Sequence, residues 1–147
     1  MANSYGTKTT LGNAQGAVNG SYTLIGTIDL TAAPPHEVLL KMEAFTAGTA
    51  GTANALCTLY VADSLDNTTF GDAPSASITA NARFVGNVQQ PTTGDTSAHT
   101  SPAFPLSPLF GGALPRYLKV YAYNGWGQTL AATAGTSLVT YQTETFG

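Results

Sequence analysis

With 147 residues, 43% of them hydrophobic and only 9% charged, the chain is long enough for one domain but not comfortably for two, and Thr, Ser, Asn, Gln and Gly must keep its surface wet. Five basic against eight acidic side chains give a net charge of −3, which removes the attraction behind most nucleic-acid affinity and argues against a nucleic-acid partner. The single cysteine, Cys57, excludes an intrachain disulfide framework and a multi-thiolate metal site. No apolar run approaches the roughly 20 residues that cross a bilayer. The opening MANSYGTKTTLG lacks the apolar stretch of a signal peptide, so a soluble product with no membrane partner is expected.

The first twenty residues set Gly6, Gly12, Gly16 and Gly20 among Asn and Thr and have little to bury; residues 1–20 read as an extended arm, and 21–147 as one domain. Residues 21–30 alternate, with Tyr22, Leu24, Ile28 and Leu30 on one face, Thr23, Thr27 and Asp29 on the other, and Ile25 out of phase. A half-buried strand fits, ended by Pro34-Pro35. In 37–46, Val38, Leu40, Met42 and Ala44 share a face from which Lys41 and Glu43 point away. The Gly/Ala/Thr stretch 47–54 is a connection, and 55–63 is a nearly continuous apolar strand running into the turn-rich 63–72, where a hairpin is expected. A weaker strand follows at 82–88. Between Pro91 and Pro115 five prolines stiffen a run too long for an ordinary loop, and a surface-hugging extended arm is the preferred reading. Strong strands at 116–124 and 137–146 are joined through NGWG at 124–127, where Asn-Gly readily supplies positive φ. Helical periodicity is absent. Six or more short strands and one long excursion predict an antiparallel β-sandwich of jelly-roll or Greek-key type.

Residues able to do chemistry are few. His36 and His99 sit beside prolines with no nucleophile elbow near them, and read as loop histidines. Glu37 and Glu43 share a strand face but lie roughly 20 Å apart, too far for a glycosidase pair. Asp63, Asp66 and Asp72 lack the spacing of a calcium loop and suit a turn. Cys57, inside an apolar strand, reads as a buried inert thiol, and Gly111-Gly112 lacks the lysine of a phosphate loop. No catalytic residue, cofactor or metal is expected, and the chain reads as one that binds or builds.

The aromatic residues carry more. On 116–124, Leu118, Val120 and Ala122 fall on one face, and Tyr117, Lys119, Tyr121 and Tyr123 on the other. That second set either stands outside as an interface, where tyrosine is favoured, or is covered by the second sheet or the proline-rich arm. Trp126 either caps a sugar ring or a partner surface or plugs the end of the sandwich. Phe104, Leu106, Leu109 and Phe110 of the proline-rich arm complete the candidate protein interface.

The strand EVLLKMEAFTAGTAG, the aspartate-rich turn ADSLDNTTFGDA with Ser64, Asp66 and Phe70, and the strand Arg116-Tyr117-Leu118-Lys119-Val120 followed by a Gly/Thr-rich hairpin and a final strand form a pattern over roughly residues 37–146. It resembles the jelly-roll capsid cement, or decoration, proteins of tailed bacteriophages. The resemblance implies a non-enzymatic virion protein, made in the host cytoplasm. It would bind the capsid exterior as a homodimer or homotrimer and tie major capsid protein subunits together. A tail, collar or baseplate component is the alternative within the virion. A carbohydrate-binding module, with Tyr121, Tyr123 or Trp126 stacking on a glycan, is the alternative outside it.

Overall fold

The computed structural model describes residues 2–71, 82–90 and 92–146; Asp72 and Pro91 lie outside them. Among the described residues nine strands occur: β1 (Asn3–Tyr5), β2 (Thr9–Asn13), β3 (Tyr22–Asp29), β4 (Glu37–Glu43), β5 (Leu56–Ser64), β6 (Arg83–Gln89), β7 (Phe104–Pro105), β8 (Tyr117–Asn124) and β9 (Leu138–Phe146). A 3₁₀ turn covers Ser107–Phe110. One sheet runs β1-β9-β4-β7, with β2 beside β1 on the same edge of β9; the other runs β3-β8-β5-β6, and every pairing is antiparallel. Taking β1 and β2 as one broken strand, each sheet has four positions. The first, eighth, third and sixth strands form one sheet and the second, seventh, fourth and fifth the other, which is the jelly-roll order.

Alternation explains the elements. On β4 Val38, Leu40 and Met42 are buried, and on β8 Leu118, Val120 and Ala122; their neighbours along each strand are not. These two sets meet Cys57, Leu59, Val61, Ile28 and Val139 in one core between the sheets. On β3 the expected phase fails. A bulge between Leu24 and Gly26 inserts Ile25 into the ladder, so Ile25 and Ile28 both point inward while Tyr22 and Leu24 turn outward. The residue that breaks the alternation is therefore the core residue.

Residues 3–13 are extended but lie along β9 rather than free of the body. Thr9–Asn13 pairs with Leu138–Tyr141, Leu11 packs on the core and Ala14 is buried. Where β2 crosses over β3 the backbones nearly touch. A Cβ on Gly12 would overlap the carbonyl oxygen of Ile25, and one on Gly26 would lie 2.9 Å from Leu11 Cδ1. Gly12→Ala is thus expected to lower unfolding free energy by about 1–3 kcal/mol, because a backbone oxygen cannot rotate away; a urea melt against wild type measures it.

The proline-rich stretch also hugs its own body. His99 and Phe45 exchange two backbone hydrogen bonds of 2.8 Å, the Ser101 amide donates to Met42 O at 2.9 Å, β7 pairs with Leu39 and Leu40, and the Leu106 amide donates to Val38 O at 3.0 Å. Prolines are tolerated because this is a sheet edge, where missing donors cost little. Glu37 fastens the next turn: Oε1 accepts from the Leu106 and Ser107 amides at 2.9 and 2.8 Å, and Oε2 from the Ser107 hydroxyl at 2.5 Å. The segment between β8 and β9 is no hairpin, since the two strands lie in different sheets, and the positive φ of NGWG falls on Gly127 rather than on Asn-Gly.

Candidate interaction surface

On β8 the side chains of Tyr117, Lys119, Tyr121 and Tyr123 point away from the core, each half-buried. The ladder shows what surrounds them. Leu24 of β3 is opposite Tyr121, Tyr121 is opposite Tyr60 of β5, and Tyr60 is opposite Phe84 of β6. Because directly opposed residues share a face, these four make one row across all four strands, about 14 Å long. Its middle is half-buried and its ends stand out, with Leu24 51% and Phe84 53% exposed. A second row begins with Tyr22 and Tyr123. Tyr22 packs against Tyr123 (centroids 4.8 Å) and Tyr60 (5.9 Å), and Tyr60 meets Phe84 edge-on at 6.2 Å.

Burial, with Tyr60 and Tyr123 beside it, pushes the Tyr22 phenol up, and burial pushes Tyr121 up too, so neither ionises near neutrality. Charged side chains flank the row rather than join it: Asp29 of β3 is exposed opposite Tyr117, Lys119 Nζ lies 4.2 Å from the Phe70 ring, and Arg83 sits over the Phe110 ring at 4.9 Å while donating to Leu109 O at 2.8 Å. The row from Leu24 to Phe84 itself is aromatic and aliphatic and holds no charged side chain. By contrast, the outer face of the β1-β9-β4-β7 sheet carries Glu37 opposite Glu144 and the Lys8–Glu43 ion pair at 3.1 Å.

Several residues named from sequence do not join this surface. Trp126 is fully buried, its Nε1 donating to Val88 O at 3.2 Å, so it plugs the sandwich end and cannot cap a sugar or a partner. Leu106 is fully buried too, since the edge strand turns it under β4. Phe104, Leu109 and Phe110 pack partly against the core, Phe104 filling the space above Gly86 that a Cβ would occupy. Tyr117 and Lys119 lie toward the Ser64–Gly71 turn, and Phe70 covers the lysine. Tyr121 and Tyr123 alone of the named set belong to the open patch. Tyr22, Leu24, Tyr60 and Phe84 were not foreseen; the out-of-phase Ile25 was the signal that Leu24 faces out.

The titratable groups form local clasps. Asp95 Oδ1 accepts from the Ser97 amide (2.8 Å) and hydroxyl (2.5 Å), and Oδ2 lies 2.8 Å from His99 Nε2. A relay would need acid and hydroxyl on opposite ring nitrogens. Here both face Nε2, and the serine proton goes to the carboxylate. His36 stacks on Phe146 at 3.7 Å with Nε2 3.8 Å from Glu144 Oε1. Asp66 Oδ1 accepts from the Thr68 and Thr69 amides and the Ser64 hydroxyl, bonds that hold its carboxyl well below the usual range and explain it as a turn residue. Among the described residues no three His, Cys, Asp or Glu side chains cluster as metal ligands, and no helix is long and apolar enough to cross a membrane. A groove of about 390 Å³ at one end of the sandwich is lined by Leu30, Thr31, Pro34, Pro35, Leu114, Pro115 and Arg116, with neither histidine among them.

Burial pushes the Cys57 thiol up to about 12. The native thiol is expected to resist alkylation at about pH 8 and to react on unfolding. Its raised folded value means that its stabilising contribution is complete below the ordinary thiol range near 8.5 and fades as pH rises from there towards about 12. Cys57→Ala should flatten that part of the stability–pH curve, which denaturant midpoints across the range measure. Comparison with known proteins adds no relative: no family model, curated protein or solved structure matches the chain.

Proposed function

We propose that this chain is a structural virion protein that binds the outside of a tailed-phage capsid as a homo-oligomer and stabilises contacts between major capsid subunits. The observation that carries the reading is the uncharged aromatic row on the outer face of β3-β8-β5-β6, a surface suited to another protein. The sequence pattern over residues 37–146 supplies the kind of partner. Tyrosine offers large contact area at low entropic cost, and a low charge lets many copies sit close together. Repeated weak contacts on a symmetric shell add up by multivalency, so no single site has to be strong. The test is to add the purified chain to capsids assembled without it and follow the temperature at which they open. Ordered density on the shell and a higher opening temperature support the reading. A particle that binds no chain and opens unchanged removes it, and label on tails or collars moves the chain to the other virion reading.

A further inference from the structure

We propose that Asn124-Gly125 is a modification site latched by the fold: shut in the native chain, it deamidates when this end of the sandwich opens, and the deamidated chain no longer closes as before. The site needs no partner, so it stands apart from the capsid reading.

The sequence holds two Asn-Gly pairs, Asn19-Gly20 and Asn124-Gly125, and the fold sets them side by side. The Gly20 amide donates to Asn124 O at 2.7 Å, and the Asn124 amide donates to Ser21 O at 3.0 Å. Asparagine is a thermolabile side chain, most of all before glycine, where no Cβ shields the next amide. The Gly125 nitrogen gives its proton to hydroxide and attacks Asn124 Cγ. The Cγ–Nδ2 bond breaks, ammonia leaves, and a five-membered imide remains. Water opens that ring at either carbonyl to give aspartate or isoaspartate, the second with an additional methylene in the backbone.

Geometry fixes both pairs in place. Gly20 has a φ of +79°, where a side chain is strained, and a Cβ on Gly125 would overlap the carbonyl oxygen of Leu56. Asparagine at 124 supplies two donors and an acceptor from one short side chain. A reactive pair therefore sits at the joint beside Trp126.

Native bonds hold both reacting groups. The Gly125 amide donates to Leu56 O at 3.1 Å. The leaving nitrogen, Nδ2, donates to Ala17 O and Gln128 O, Oδ1 accepts from the Trp126 amide, and the residue is only 2% exposed. Reaction needs these four bonds to break together, a local opening whose population sets the rate. The products do not fit the joint. Aspartate turns acceptors on the Ala17 and Gln128 carbonyls, and isoaspartate also lengthens the backbone leading to Gly125. Asn19 differs, because it is exposed and its Oδ1 accepts from the Gly127 amide at 2.9 Å, a bond that an aspartate keeps.

The test holds the purified full chain at mildly alkaline pH, folded in buffer or unfolded in urea, and follows amide-to-acid exchange at each asparagine by peptide mapping. Both pairs are expected to exchange in urea, whereas the folded chain exchanges Asn124 at least about a hundredfold more slowly. Trp126→Phe loosens the same end and is expected to raise the folded-state rate at Asn124 about 5–30-fold while leaving the rate in urea unchanged. Chains exchanged at Asn124 and returned to buffer are expected to melt at a lower temperature or to stay unfolded. Asn19→Asp should melt as wild type does, so that loss reports Asn124. Exchange at Asn124 as fast in the folded chain as in urea overturns the proposal. So does a folded-state rate that Trp126→Phe leaves unchanged, or a chain exchanged at Asn124 that refolds to the wild-type melting temperature.

Discussion

Replacing Trp126 by alanine is expected to lower unfolding free energy by about 3–5 kcal/mol and the melting temperature by about 10–15 °C, the larger of the side-chain truncations considered. The indole is fully enclosed. Phe45 meets it edge-on at 6.3 Å and His99 at 5.9 Å, and its N–H satisfies Val88 O. These partners come from the connections after β4, before β7 and at the end of β6, so a single ring closes the sandwich at that end. Alanine leaves a cavity that three separate segments would have to fill by moving, and strands already fixed in ladders cannot follow. Trp126→Phe keeps most of the volume but loses the indole bond to Val88 O, and should cost about 1–2 kcal/mol. Urea midpoints for the two variants measure both effects. Any binding lost with Trp126→Ala would therefore report unfolding, and Tyr121→Ala is the informative substitution for a glycan or a protein partner.

The strands that could be read from sequence are those with one face in the core and no interruption. On β4 and β8, apolar residues at every second position are enough, because a one-residue slip would expose the whole set. β3 resisted the same reading because a bulge has no compositional mark beyond one apolar residue out of step, and Ile25 was that mark. Loop residues carry no period at all. Trp126 and Leu106 could equally have faced outward, and only three-dimensional closure decides that both are core. The candidate surface was half legible for a related reason. Tyr121 and Tyr123 lie on one strand, where alternation places them outside. Leu24, Tyr60 and Phe84 join them only through strand neighbours 24 to 97 positions apart, and pairing order is a property of topology rather than of local pattern. The proline-rich stretch pairs with β4 of the same chain at Leu39 and Leu40, a partner that its composition does not name.

Asn124→Asp is expected to be nearly as damaging as loss of Trp126, and its damage should depend on pH in a direction that identifies the cause. The Asn124 side chain is buried and fully used. Its Nδ2 donates to Ala17 O at 2.9 Å and Gln128 O at 2.7 Å, while Oδ1 accepts from the Trp126 amide at 3.0 Å and faces Cys57 Sγ at 3.5 Å. One amide thus ties the β2–β3 connection to the β8–β9 connection and holds Trp126 in place. An aspartate of the same shape offers acceptors to two carbonyl oxygens and, when ionised, a buried charge with a single backbone donor facing it. Destabilisation of about 3–5 kcal/mol at neutral pH follows. The buried carboxyl would have its pKa raised above the unfolded value near 3.9. The variant should therefore be least impaired below about pH 4 and lose stability as pH rises through its folded value. Wild-type Asp66 and Asp95, held low by their turns, act with the opposite sign and lose their stabilising contribution as pH falls. The difference between variant and wild type should therefore widen from about pH 4 to about pH 7. A difference that stays flat across that range would mean that the aspartate has reached water, and that Asn124 is not the enclosed tie its four contacts describe.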